Sequence, residues 1–153
     1  MFWCVRGNPI VRGVIAGSIA ASATAGALVS MGRRAGNAAL PFAAIGDLVT
    51  GREVGAVDLT TGVVVAGVML HLVMLTVWGI VFALLVDYWR GHVLRAATLV
   101  SVLAFALSWL VARAFGRGLA TLLPVGDRII LALLFALALM VGMRLALPVR
   151  DEL

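Results

Sequence analysis

The chain has 153 residues, of which 63% are hydrophobic and only 12% charged, with a net charge of +5 and a mean hydropathy of +1.15. Soluble domains carry about 45–50% apolar and about 25% charged residues, so a water-soluble globule is excluded: too few polar groups remain to cover its surface. All twelve basic residues are arginine and no lysine occurs, which also excludes lysine Schiff-base chemistry, and with it retinal proteins and aldolase-type mechanisms.

A lysine-free composition reflects a GC-rich genome and favours a bacterial source. Arginines flanking apolar runs are ordinary membrane anchors, so the basic balance does not call for nucleic acid. Cys4 is the single cysteine; no intrachain disulfide, Cys-x-x-Cys pair or thiolate metal cluster can form.

The first apolar stretch covers about 10–31 and is broken only by Arg12. Its basic flank and Ala21-Ser22-Ala23 imitate a signal peptide, but we count it as a retained membrane helix. Two small-residue ridges run along it at four-residue spacing: Gly13, Gly17, Ala21 and Ala25, and beside them Ser18, Ser22, Gly26 and Ser30. Small residues let another backbone approach closely, and serines can bond across helices. These residues are expected to pack inside the bundle; a dimer face or pore lining is the alternative.

The connection 32–60 opens with Arg33-Arg34 and contains an apolar run, Ala38 to Ile45, interrupted by Pro41. Too short to span, it reads as an interfacial helix over about 37–48. Asp58 stands where an N-cap of the second span belongs, and Asp127 where one for the fourth belongs.

The second span, about 61–86, would measure roughly 39 Å as a helix. It carries His71, the one ionisable side chain deep within an apolar stretch, and such residues point to function because burying them is costly. Gly67, one turn earlier, leaves room for a flat ring beside the imidazole, and Trp78 and Phe82 follow on roughly the same face. A small residue four before a membrane histidine resembles the pigment-binding helices of bacterial light-harvesting proteins. That resemblance covers one helix and implies bacteriochlorophyll ligation by His71; haem is compatible too. The plainer reading, favoured here, is a neutral histidine bonded to a serine of the first helix or to a backbone carbonyl. His92 lies in the following loop, too far along the chain to share a haem with His71 in one protomer.

The third span covers about 96–112 and the fourth about 129–147, each near the ~20 residues that a ~30 Å hydrocarbon layer requires. Short connections make the second, third and fourth spans antiparallel neighbours. Arg113 and Arg117, one turn apart at the end of the third, form a candidate lipid-headgroup site. With four spans, Arg6, Arg12, Arg90, Arg95, Arg144 and Arg150 fall on one side and Arg33, Arg34, Arg52, Arg113, Arg117 and Arg128 on the other. Six against six gives no orientation by the positive-inside rule; dual insertion, or orientation imposed by partners, follows.

No carboxylate lies mid-span, and Gly-x-Ser-x-Gly, His-Glu-x-x-His and phosphate-loop motifs are missing from the sequence. The Gly/Ala-rich helix Gly13 to Ser30, the Pro-containing loop Asn37 to Gly51, and His71 followed by Trp78-Gly79 together resemble uncharacterised small four-helix inner-membrane proteins of bacteria. The match covers about the first two-thirds of the chain and implies a fold class and a compartment, with no activity attached. The expectation is therefore one all-α membrane domain, 1–153, of about four helices in the bacterial inner membrane. Its role reads as a non-enzymatic packing or accessory subunit with no cofactor and no nucleic-acid partner, in contact with lipids and with other subunits or its own copies. The alternatives are a tetrapyrrole protein using His71 and Gly67, for electron transfer or light harvesting, and a small homo-oligomeric channel or transporter.

Overall fold

Helix α1 starts where Asn8 caps it: the Asn8 Oδ1 accepts from the Ile10 N–H at 2.9 Å, and Pro9 fills the first helical position, where no N–H is needed. In the computed structural model, which describes residues 8–50, 59–116 and 118–146, the chain forms α1 (Pro9–Arg34), α2 (Leu40–Thr50), α3 (Thr61–Tyr88), α4 (Val93–Phe115), the single turn α5 (Leu119–Leu122) and α6 (Val125–Leu145). No strand occurs among the described residues. The expectations placed on Cys4, Asp58 and Arg117 lie outside them.

Helices α1, α3, α4 and α6 are each long and apolar enough to cross a membrane. The fold is an all-α membrane bundle, and the chain is an integral membrane protein by the length and composition of its helices. Breaks between helices follow backbone chemistry. Gly36 (φ 96°) turns the chain after α1, Arg90 and Gly91 (φ 53° and 91°) turn it after α3, and α4 ends on Gly116 in the left-handed region (φ 65°).

Helix α1 is the hub. It runs antiparallel to both α3 and α6, and small residues set the spacing. A Cβ on Gly17 would meet the Leu75 carbonyl oxygen at 2.6 Å, one on Gly13 would meet Ile80 Cα at 2.5 Å, and one on Gly142 would meet Ala16 Cα at 2.6 Å. Backbone thus lies against backbone, the geometry small-xxx-small ridges allow. The main core lies at the end of the bundle where α1 begins, with Phe82, Ala83, Val86, Ala96, Ala97, Val100, Leu139 and Met143 buried there. A second cluster gathers Leu28, Met31, Phe42, Ile45, Leu123 and Leu131 at the other end.

Among the described residues, two ion pairs clamp α1 to its neighbours. Arg12 meets Asp87, at the end of α3, at 3.1 Å, and Arg34 meets Asp127, in the first turn of α6, at 3.1 Å. Asp127 is therefore not an N-cap: α6 begins earlier than expected, behind Pro124, and the carboxylate is free to reach sideways.

Helix α2 occupies much of the expected interfacial segment, shifted slightly toward the C-terminus. Its residues 41–46 are buried. Phe42 meets Gly67 and Gly46 meets Val63, so α2 runs antiparallel along the first half of α3.

Candidate functional site

One hydrogen bond between side chains joins α1 to α3 in the middle of the bundle. Thr24 of α1 and His71 of α3 face each other, with Oγ1 and Nε2 3.1 Å apart. The Thr24 hydroxyl lies 2.8 Å from the Ala20 carbonyl one turn back, the bond that satisfies a threonine inside a membrane helix. With that proton committed, Oγ1 offers His71 a lone pair, and the Ala21 carbonyl, 3.4 Å from Nε2, offers another. Nε2 thus faces two acceptors, and the tautomer that fits carries its proton there. The expected serine of α1 is replaced by a threonine, and the backbone carbonyl expected as the other partner is that of Ala21.

Gly67 does not leave room for a flat ring. The backbone of α2 at Phe42 and Gly46 fills the space that a side chain at Gly67 would take. The Phe42 ring stands edge-on to His71, centroids 5.8 Å apart at 85°. The small residue one turn before the histidine serves helix packing.

Of the residues expected to pack, Gly13, Gly17 and Ala21 are buried against α3 and α6, and Ala25 is half-buried against the second core cluster. Ser18, Ser22 and Gly26 are exposed, as is Ser30. They do not pack within the chain: the ridge faces outward, and nothing lies within 4 Å of a Cβ built on Gly26. Ser22 bonds back to the Ser18 carbonyl at 3.0 Å. Arg113 is exposed, with its guanidinium 5.4 Å from the Trp109 ring centre, a cation–π contact. His92 is exposed in its loop, its Nδ1 2.6 Å from the Trp89 carbonyl oxygen.

The seam between α3 and α4 is a wedge. At the α1-start end it is closed by Phe82, Ala83 and Val86 against Ala96, Ala97 and Val100. Toward the other end it opens into two adjoining cavities of about 150 and 350 Å³. Thr24, Ser101, Phe135 and Arg128 line the inner one, which lies between α4 and α6, and His71, Trp78, Leu107 and Ile45 the outer one, between α3 and α4; Leu75, Ala104, Ser108 and Leu119 border both. Two polar atoms here are buried without a hydrogen-bond partner, Ser101 Oγ and Arg128 Nε.

Thr24, Ser101 and Ser108 carried no expectation from sequence, and Arg128 only a place in the charge balance. The signal available was the placement of Ser101 and Ser108 on one face of α4, with the small Ala104 between them. Comparison with protein-family models, with curated proteins and with solved structures finds no match for the chain.

Proposed function

We propose that the protein is a non-enzymatic packing subunit of a bacterial inner-membrane assembly, of the small four-helix kind that its sequence resembles. The observation that carries this reading is the second small-residue ridge of α1. The inner ridge is consumed by α3 and α6, while Ser18, Ser22, Gly26 and Ser30 form a shallow trough on the outer face of the hub helix. A lipid chain gains little from such a trough, whereas the backbone of a partner helix can seat in it. The balanced arginines support the same reading: a chain that does not orient itself takes its orientation from what it assembles with.

The test compares Gly26→Leu with Gly17→Leu. The first leaves the helical fold intact, by circular dichroism and thermal unfolding, and removes partner subunits or further copies from the complex isolated in mild detergent. The second destabilises the chain itself, because the added side chain drives α1 off α3. A Gly26→Leu protein with unchanged native mass and copurifying partners would overturn the proposal.

A further inference from the structure

The wedge between α3 and α4 is built to hold something. Hydroxyls within membrane helices are normally satisfied by the carbonyl one turn back, and Ser22, Thr24 and Thr76 all are, at 3.0, 2.8 and 2.8 Å. Ser101 differs. It is 6% exposed, lines the inner cavity, and its hydroxyl has no partner. Buried polar groups are rarely left so, because an unmade bond in an apolar medium is costly.

Arg128 lines the same cavity in the first turn of α6. Arg12 and Arg34 each have a carboxylate partner, whereas Arg128 appears in neither of these ion pairs; its Nε, like that of Arg12, is buried and unbonded. Ser108 adds a third polar group where the two cavities meet. Among the described residues, the lining of the two cavities includes no carboxylate. The Arg128 guanidinium and the Ser108 hydroxyl complement an anion, and the remaining wall, from Leu75 and Ala104 to Leu107 and Trp78, complements hydrocarbon. The position suits such a ligand: Arg128 is close to the start of its helix, at headgroup depth, while the outer cavity extends inward along α3.

From this geometry we infer that the wedge is a binding site for one anionic lipid, with its carboxylate or phosphate on Arg128 and Ser108 and its acyl chain running past Ser101, two turns deeper on α4, and between α3 and α4. The Arg113 site expected from sequence is a different place, committed to Trp109. The inference does not depend on the outer ridge of α1, which lies on another helix face.

The experiment is native mass spectrometry of the full chain in mild detergent, titrated separately with oleate, phosphatidylglycerol and phosphatidylcholine. One oleate or phosphatidylglycerol is expected per protomer, in preference to phosphatidylcholine, and the stronger of the two arms identifies the headgroup. Arg128→Gln is expected to weaken retention roughly tenfold or more, the effect of losing a hydrogen bond to a charged group. Ala104→Phe, which fills the junction of the cavities, is expected to abolish it, and Arg113→Gln to leave it unchanged. Circular dichroism of each variant confirms its fold, and Ala104→Phe tests the site independently should Arg128→Gln not fold. No preference over phosphatidylcholine, or equal losses in Arg128→Gln and Arg113→Gln, would overturn the inference.

Discussion

Arg12 shows how one residue changes meaning when the chain folds. In the sequence it is a basic interruption near the start of an apolar run, indistinguishable from an anchor that reaches out to water. In the fold its side chain is 9% exposed and bonded to an Asp87 that is 24% exposed, with Met143 Sδ 3.1 Å from the guanidinium. Nothing local in the sequence connects positions so far apart. Removing one partner strands a largely buried charge, which costs about 3 kcal/mol or more, whereas an exposed pair is worth about 1 kcal/mol or less. Asp87→Asn should therefore lower thermal stability clearly, while Asp127→Asn, which breaks the pair with the 64%-exposed Arg34, should scarcely change it. Combining Arg12→Met with Asp87→Asn should recover part of the loss, and equal melting shifts for the two single carboxylate variants would refute the distinction. His71 is the opposite case. Its burial and need for a hydrogen-bond partner were legible, but the identity of that partner depended on the rotation of α1, which places Thr24 rather than Ser22 toward α3.

Among the elements, the four spans were legible because long apolar runs admit few readings, and the helix ends moved by only a few residues. Which face of each helix turns inward was not. The ridges Gly13-Gly17-Ala21 and Ser18-Ser22-Gly26 have the same spacing and similar side-chain sizes. Periodicity groups residues onto a face without saying what that face meets. In water, apolarity would settle the matter, but in a bilayer both faces are apolar and the signal vanishes. The packing of helix α2 was not legible for a related reason: its short length marked it as a segment that does not span, but not that Gly46 and Gly67 let it lie directly along α3. Gly67→Leu should therefore release α2. Hydrogen exchange is expected to rise across residues 40–50 and remain slow in the middle of α1, and protection of both segments as in the unmodified protein would show that α2 is held by other contacts.

At the scale of the whole molecule, the helix directions divide the described arginines evenly between the two ends. Among the described residues, Arg12, Arg90, Arg95 and Arg144 lie at one end of the bundle and Arg33, Arg34, Arg113 and Arg128 at the other. A C-terminal reporter on the chain expressed alone should therefore show both orientations. Neutralising Arg33 and Arg34 should shift the population toward the N-terminus inside, because the positive-inside rule then has a preference to act on. A single orientation unmoved by those changes would mean that something other than arginine placement decides insertion. The two ion pairs of α1 also give the bundle a fixed measure. Arg12 and Arg34 lie roughly 33 Å apart along the helix axis, close to the ~30 Å of a hydrocarbon layer. One fastens α1 to the end of α3 and the other to the start of α6, so α1 cannot slide a turn past these neighbours without breaking a pair. In a bilayer thinner than this measure, the helices cannot adjust separately, and the bundle must lean as a single body.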